Sequence, residues 1–424
     1  MKSFALTAMS TAILAAASSV THADFIDDST FDIQLRTAHF NSNDGSDSWS
    51  QTSEGIQLNY KSGYFADIIG FDASYYGAVG LDHSGVDPYS TSYDRGQLLT
   101  KDHSGYHKLG QAFVKVKAGD QSRGVYSQIG YMRGKNGGIG GSSSRSTPSS
   151  YRGALVEGYL MDGWMVHGGY YDGIGQRTEA SWDDLYTQSK EKIDYVWQVG
   201  SVYDVNNWRA EGFYLESEAY SKQFSGTLAY TFNLGHDATL MFEGMYHGAR
   251  ENGEKWDNLG FKEEANHYTF TTEYGNNGFT GTLIYGYTEA RQDGEMGTLD
   301  DRFAYNDYGS SPSRIGYLVG NFWYDGEKVW QAEVGYDFGH MGLDGFNATV
   351  GYIYGSDMND PSENQMEKET EVFTELVYAF ADSSPLKGVS LTMQKGWGET
   401  KYANAPDVTA NDLRAYIDYS ISIF

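Results

Sequence analysis

The sequence predicts an all-β protein, folded as a transmembrane antiparallel β-barrel of about 18 strands. Segments of about ten residues carry aromatic and aliphatic side chains on one face and Thr, Gln, Asp, Glu and Gly on the other, which is typical of outer-membrane barrels. No stretch of about 20 apolar residues follows the N-terminal segment, so no transmembrane helix is predicted. The 52 glycines, 35 tyrosines and 15% aromatic content favour strands and turns over helices.

The last twelve residues, 413–424, carry the clearest alternation. In a membrane barrel the last strand pairs with the first and removes the free sheet edge, so a strand that ends on Phe424 is expected. An edge strand of a soluble sheet is the alternative for this segment alone. One face holds Leu413, Ala415, Ile417, Tyr419, Ile421 and Ile423, and the other holds Arg414, Asp418, Ser420 and Ser422.

The N-terminus reads as a secretory signal. Lys2 precedes an apolar stretch from Phe4 to Val20, which is too short and too rich in Ala and Ser for a stable membrane helix. We expect cleavage after Ala23, with residues 1–23 as the signal and residues 24–424 as one barrel domain. The expected location is the outer membrane of a Gram-negative bacterium.

The alternating pattern recurs along the chain, separated by short and long connectors. We expect long polar connectors at residues 41–52 and 82–108, and short periplasmic turns near Asn207, Asn277 and Asp344. At about 22 residues per strand the chain accommodates about 18 strands, with 16 as the alternative. The predicted strands include residues 31–36, 56–61, 69–75, 112–117, 125–133, 153–160, 193–199, 224–232, 269–274, 330–338 and 389–394.

Charge and composition exclude several functions. The formal net charge of −27 argues against nucleic acid as a partner, and a chain without cysteine has no disulfide or thiolate metal site. No cofactor is predicted. A local group of histidines (His83, His103 and His107, near Asp82, Asp102 and Ser104) leaves an outer-membrane enzyme as an alternative, but such loop clusters are usually solvated, and their spacing does not indicate a metal site. A soluble, secreted, glycan-binding β protein is a further alternative, which the one-sided apolar faces disfavour.

A glycine-rich segment, residues 134–153, lies between two predicted strands. Its glycines permit sharp bends, and Arg145 and Arg152 flank a core of Ser, Thr and Pro. An arginine in a pore offers a fixed fork of donors to carboxylates or sugar hydroxyls. From chemistry alone, an ordinary solvated external loop is the simpler interpretation.

The stretch S-R-S-T-P-S-S-Y-R-G, which starts at Ser144, resembles the pore-constricting third loop of the OprD-type porins, a family that includes chitoporin. The resemblance extends over nearly the whole chain beyond the signal. It includes F-I-D-D-S-T at Phe25, L-N-Y-K-S-G-Y at Leu58, L-E-S-E-A-Y-S-K-Q at Leu215, E-K-V-W-Q-A-E-V-G-Y-D-F at Glu327, S-P-L-K-G-V-S-L at Ser384 and the terminal strand.

The resemblance implies an 18-stranded barrel whose third loop folds inward, and passive, substrate-selective diffusion of small solutes without catalysis. Many members take up carboxylates along a ladder of lumen bases, and chitoporin-like members pass chito-oligosaccharides. The ladder positions retained here are Arg36, Lys115, Arg145, Arg152 and Arg414, with Lys117 beside Lys115. The expected constriction residues are Arg145, Ser146, Tyr151 and Arg152, with Tyr305 and Asp307 approaching from the opposite wall.

This chain also departs from the carboxylate-selective pattern. Glu333 stands where such members commonly have arginine, and Gly351, Thr392 and Gln394 stand at typical basic positions. A carboxylate 4–6 Å from an anionic solute in a narrow lumen opposes it by about 1 kcal/mol or more. We therefore expect neutral, hydroxyl-rich or amino-sugar solutes, with a carboxylate or amino-acid channel as the alternative. Further acids expected to face inward are Asp194, Glu243, Glu273 and Glu375.

The aromatic side chains have two interpretations. Outward tyrosines and tryptophans are expected to form girdles at the membrane interfaces, whereas inward ones such as Phe113 and Tyr151 could stack on sugars. The expected partners are the lipid bilayer, lipopolysaccharide, a small hydrophilic solute and the barrel-assembly machinery, which would read the C-terminal strand. The resemblance leaves a monomer and a weak homotrimer open.

Overall fold

The structure, a computed structural model, describes residues 23–85, 97–257, 260–299, 302–307 and 313–424. Residues 1–22 of the predicted signal lie outside this part. Within the described residues, no helix is long and apolar enough to cross a membrane. The helical segments comprise a five-residue helix, Ala23–Asp27, and a 3₁₀ turn, Phe338–Met341.

Eighteen long strands in the described part of the chain form one closed antiparallel barrel, as predicted. Each strand pairs with its sequence neighbour, and the last pairs with the first, from Asp32↔Ser422 to Asn43↔Asn411. Closure leaves no strand edge unpaired, and each unpaired backbone group would cost several kcal/mol in lipid, of order 2–7 kcal/mol. The strands are β1 Thr30–Asn43, β2 Ser48–Lys61, β3 Ile69–Gly85, β4 Tyr106–Gly119, β5 Gly124–Met132, β6 Ser150–Met161, β7 Trp164–Gly175, β8 Val196–Val205, β9 Trp208–Ser217, β10 Ser221–Gly235, β11 Ala238–Glu251, β12 Glu264–Asn276, β13 Phe279–Glu289, β14 Lys328–Asp337, β15 Phe346–Ser356, β16 Met366–Ala379, β17 Val389–Tyr402 and β18 Val408–Ser422.

The outward faces of the strands are apolar, and the inward faces are polar. On β14, Trp330 and Val334 are about half exposed, whereas Gln331 between them is buried inside the barrel. On β18, Ile417 and Ile421 are exposed in the same way. Exposed apolar side chains around a closed sheet would be unfavourable in water, so this surface fits a lipid environment.

The two ends of the barrel differ, as the sequence predicts. The end with both termini has tight turns, for example at Asn206 (φ 57°) and at Asn277–Gly278, where positive φ suits a two-residue hairpin. The opposite end carries the long connections. Counted along the chain, the third connection at this end, residues 133–149, is called loop 3. The seventh, residues 290–327, is called loop 7.

The predicted connector at residues 41–52 is wrong. Strands β1 and β2 continue through it and pair up to Asn43↔Ser48, leaving a turn at residues 44–47. Asp44 Oδ1 accepts hydrogen bonds from the Ser46 and Asp47 amides, which lowers the pKa of Asp44. These strand ends could not be predicted from alternation, because a strand that projects into water is polar on both faces. The connector predicted at residues 82–108 is shorter in the structure for the same reason. Strand β3 runs to Gly85, and β4 starts at Tyr106.

The main apolar core of the protein lies inside the barrel, where loops meet the inner wall. It joins residues of the strands with residues of loop 3, loop 7 and the connection before β8. Its packing holds these loops inside the lumen, so the passage is narrowed by folded chain. Its members include Met132, Ile139, Tyr151, Leu155, Tyr171, Ile174, Leu185, Ile193 and Phe303.

Candidate pore constriction

Loop 3 folds into the barrel and reaches the inner face of β1. Arg36 Nη1 donates to the carbonyl oxygens of Ser143 (2.6 Å) and Arg145 (3.1 Å). The same guanidinium binds Asp418 of β18 through Nε (2.6 Å) and Nη2 (3.1 Å). One arginine therefore joins the first strand, the last strand and the tip of loop 3.

The tip of loop 3 is packed tightly against β2. The hydroxyl oxygens of Ser146 and Ser53 lie 2.5 Å apart, and both residues are fully buried. A Cβ atom added to Gly55 would lie 2.4 Å from the Ser146 carbonyl oxygen, so only glycine permits this approach. Tyr416 Oη donates to the Ser144 carbonyl at 3.2 Å.

Arg145 lies between the loop and the wall. It is only 7% exposed, its Nη2 donates to Gln97 Oε1 at 2.6 Å, and its guanidinium lies 5.0 Å from the Phe40 ring centre. Its charge is thus enclosed rather than presented to a passing solute. Arg145 and Ser146 therefore make contacts that hold loop 3 against the barrel wall.

Tyr151 and Asp307 meet inside the barrel. Tyr151 Oη donates to Asp307 Oδ1 at 2.6 Å, and both side chains are buried. Tyr305 lies near them, with its amide donating to the Tyr186 carbonyl at 2.7 Å and its ring 5.0 Å from the Arg302 guanidinium. Loop 7 therefore approaches β6 from the far wall.

Arg152 does not lie at the constriction, and this prediction is wrong. Strand β6 begins at Ser150 rather than at Gly153, so Arg152 falls into the alternation and shares the outward face with the exposed Val156. It binds Asp172 Oδ1 at 2.6 Å and Asp184 Oδ1 at 3.3 Å.

Four bases of the inner wall are paired with carboxylates. Arg414 binds Asp412 at 3.0 Å, and Lys115 binds Asp72 at 2.7 Å. Lys117 lies 2.5 Å from Asp67. Together with the pair of Arg36 and Asp418, these contacts compensate the positive charge of these four bases.

The predicted inward acids divide into two groups. Glu273 pairs with Arg314 of loop 7 at 3.0 Å, and Glu375 accepts from Tyr317 Oη (3.1 Å) and Gln394 Nε2 (2.6 Å). Glu333 accepts from Gln331 Nε2 at 2.5 Å, and no ion pair joins Glu333 or Glu375 to a base among the described residues.

Three further predicted lining residues can be placed. Glu243 lies on the inward face of β11, alternating with the exposed Phe242, and Thr392 lies inward on β17 between the exposed Leu391 and Met393. Asp194 is not on a strand, because β8 begins at Val196, and its side chain is 65% exposed. Its placement on an inward strand face was therefore wrong.

Sequence reasoning missed the attachment of loop 7 to β16. Both carboxylate oxygens of Glu371 accept hydrogen bonds from successive amides of loop 7, those of Leu318 (2.9 Å), Val319 (3.2 Å) and Gly320 (3.1 Å). Glu369 Oε1 accepts from the Phe322 amide at 2.6 Å. The sequence signal for this attachment was the pair of acids, Glu369 and Glu371, at alternate positions on the inward face of a strand.

Glu327, at the end of loop 7, is fully buried near Glu369. Its Oε2 accepts from the Tyr324 amide at 3.0 Å, while Oε1 has no hydrogen-bond partner. Burial, reinforced by the Glu369 carboxylate, raises the pKa of Glu327 to about 9. The protonated form of Glu327 is therefore favoured.

The sugar-stacking interpretation of Phe113 and Tyr151 is wrong. Phe113 is 8% exposed and Tyr151 1%, so neither presents a free ring face. Tyr151 packs on Tyr171 and Phe303 instead, with ring centres 5.9 and 6.0 Å apart.

The histidine group does not assemble a catalytic arrangement. The rings of His83 and His103 stack 4.9 Å apart, and His107 stacks on Tyr75 of the neighbouring strand. The Ser104 amide donates to Thr100 Oγ1. Among the described residues, no group of three or more His, Asp or Glu is arranged to hold a metal ion.

A closed barrel with an apolar exterior, a polar lumen and two loops folded across it defines a substrate-selective outer-membrane channel. The family model "outer membrane porin, OprD family" matches residues 23–423. The chain belongs to the OprD family of outer membrane porins. Its location is therefore the outer membrane of a Gram-negative cell, where it allows passive diffusion of small solutes.

Individual relatives agree with this assignment. Porin D of Pseudomonas aeruginosa is 25% identical over 94% of this chain and 92% of its own. Chitoporin of Escherichia coli K12 is 23% identical over 73% of this chain and 68% of its own.

Solved structures share the fold. OccAB1 of Acinetobacter baumannii superposes with a TM-score of 0.80 at 18% identity, covering 94% of this chain and 98% of its own. OccK9 (OpdG) of P. aeruginosa superposes with a TM-score of 0.78 at 21% identity, covering 94% and 100%.

Proposed function

We propose that this porin passes neutral or weakly cationic hydrophilic solutes, with amino-sugar oligosaccharides as the preferred class. The observation that carries the proposal is the pairing of four lumen bases, Arg36, Lys115, Lys117 and Arg414, with carboxylates. A close ion pair presents a much weaker field than an isolated charge, because the two contributions nearly cancel at a distance.

The acids of the opposite wall support the same preference. Glu333 and Glu375 accept hydrogen bonds from neutral groups only, so their charge is not offset by a direct base. An anionic solute meets net repulsion there, whereas a protonated amino sugar meets attraction. The name of the E. coli relative, chitoporin, is in keeping with this solute class.

A panel of solutes tests the proposal. The purified protein in a planar bilayer should give discrete openings in KCl, and N-acetylglucosamine oligomers added on the external side should reduce the current in a concentration-dependent way. Small carboxylates such as benzoate should do so more weakly. Block by carboxylates without block by sugars would favour the alternative, a carboxylate- or amino-acid-selective channel.

We further propose the remaining features expected from the sequence. These are export by the signal at residues 1–23, with residues 24–424 as the mature porin; recognition of the C-terminal strand by the barrel-assembly machinery; and contact with lipopolysaccharide. We also propose that the protein carries out no enzymatic reaction, because its family is one of porins. N-terminal sequencing of the outer-membrane protein tests the cleavage site.

A weak homotrimer is proposed through the face that includes β17 to β2. Lys395 and Glu54 face outward there, bound to Asn411 (2.6 Å) and Thr37 (2.5 Å), although a lysine in lipid costs about 2–4 kcal/mol at the bilayer midplane. If the β17 side of one copy contacts the β2 side of the next, Lys395 of the first copy would pair with Glu54 of the second. Native mass spectrometry in mild detergent tests this; a monomer at all concentrations would contradict it.

A further inference from the structure

Uncharged amide side chains cover the inner wall of β1 to β5, below loop 3. The strand register places them side by side: Gln34 is opposite Gln57, and Asn59 is opposite Ser74, which is opposite Gln111. The group, called the amide wall here, consists of Gln34, Gln57, Asn59, Gln111 and Gln128.

The hydrogen-bonding capacity of the amide wall is largely unused. Gln111 donates to Ser74 Oγ and accepts from the Arg133 amide. The other four amides make no hydrogen bond to any part of the chain that the structure describes. Tyr76, which lines the same cavity, is fully buried, and its hydroxyl makes no hydrogen bond. Because buried polar groups are usually paired, this orphaned hydroxyl points to a missing partner at this wall.

The amide wall borders a cavity of about 520 Å³. Gly134 and Lys135 of loop 3 also line it. Its size falls within the range of about 300–1,000 Å³ that is usual for small-molecule sites. Charged side chains of both signs also line the cavity: Lys61, Arg133 and Lys135, with Asp32 and Asp72. Lys135 binds Glu157 at 2.8 Å, and Asp72 binds Lys115 at 2.7 Å.

We propose that the amide wall is a binding subsite for one ring of a neutral, hydroxyl-rich solute of the pyranose type, occupied next to the constriction. Each amide offers two N–H donors and a carbonyl acceptor, which match vicinal hydroxyl groups and N-acetyl groups. Being uncharged, these side chains do not attract anions. The inference rests on the proposed function and names the residues that would carry it out.

The experiment measures block of single-channel current by N,N′-diacetylchitobiose, with benzoate as the charged probe. Gln57→Leu and Gln34→Leu remove the amide while nearly retaining side-chain volume, so the width of the passage is preserved. Asn347→Leu is the matched control, since Asn347 is an exposed inward amide on β15, in the opposite half of the barrel.

Each amide-wall variant should weaken sugar block about three- to tenfold, the value of one net hydrogen bond, and the double variant should weaken it further. Conductance in KCl and block by benzoate should stay at the wild-type level, as should all readings for Asn347→Leu. Unchanged sugar block in both single variants would overturn the subsite while leaving the proposed function standing. Absence of sugar block in the wild type would overturn both.

Discussion

The hydroxyl of Tyr151 donates a 2.6 Å hydrogen bond to the buried carboxylate of Asp307. Tyr151 belongs to β6, whereas Asp307 belongs to loop 7, which is anchored between β13 and β14. The bond therefore spans the interior of the barrel and links the base of loop 3 to the opposite wall. It joins loop 7 to the strand that follows loop 3, inside the lumen.

Removing this hydroxyl should loosen the constriction. Tyr151→Phe removes a hydrogen-bond donor from a buried carboxylate, at a cost of about 1–3 kcal/mol. We expect more frequent sub-conductance transitions in single-channel records. Tyr171→Phe is the control, because it removes a neighbouring buried hydroxyl without contacting Asp307. Equal current noise in both variants would argue against the link.

The attachment of loop 7 should weaken at alkaline pH. Glu327 has a pKa raised from 4.5 to about 9 by burial and by Glu369, so its protonated form is favoured in the folded state. Its stabilising contribution is fully present below pH about 4.5 and decreases as pH rises to about 9.

Channel noise recorded between pH 6 and pH 10 should accordingly increase with pH. Glu327→Gln should lose most of this pH dependence, because the amide does not ionise; the remainder belongs to Glu369, whose pKa is raised to about 7 by burial. Glu295→Gln, an exposed acid of the same loop, should behave like the wild type. An undiminished pH dependence in Glu327→Gln would assign the effect to another group.

Loss of Arg36 should widen the passage. Arg36→Gln removes the donors that hold the Ser143 and Arg145 carbonyls against β1, so loop 3 should leave the wall. In liposome swelling assays, we expect faster entry of a trisaccharide such as raffinose. Arg209→Gln is the control, since Arg209 pairs with Asp204 and Glu211 away from loop 3; an equal increase there would contradict the assignment.

Charge reversal on the far wall should change selectivity. Glu333→Arg replaces an acid that accepts from Gln331 with an unpaired base, and a unit charge near a solute is worth about 1 kcal/mol or more at short range. The reversal potential in a KCl gradient should shift toward anions, and block by benzoate should strengthen about fivefold or more. Glu295→Arg, in loop 7, should leave both unchanged.

Barrel closure should depend on the terminal aromatic. The Phe424 ring lies 6.1 Å from that of Phe31, whose amide donates to the Phe424 carbonyl at 3.1 Å. Phe424→Ala should reduce the yield of folded protein and lower the temperature at which the barrel unfolds in detergent, measured by gel mobility. Phe424→Trp should retain both; full stability of Phe424→Ala would show that backbone pairing suffices.

Much of the fold could be predicted because strand alternation is a local property. Trp330 and Val334 are apolar because they face lipid, and Glu333 is polar because it faces water. The identities of neighbouring residues are therefore enough to predict which face of the strand each side chain occupies. The prediction of strand ends failed where both faces of a strand contact water, as at Asn43 and Ser48, because apolar and polar residues no longer alternate there.

The alternating pattern alone was enough to predict an outer-membrane barrel of about 18 strands with a polar lumen, and the family resemblance added the inward fold of loop 3. Which polar side chains reach the solute depends on tertiary contacts. Arg152 faces outward because β6 starts earlier than the pattern indicated, Arg145 is enclosed by Gln97 and Phe40, and Asp307 meets Tyr151 across the barrel. These contacts join residues far apart in the chain, and no local periodicity records them, because they depend on how the closed barrel brings its loops together.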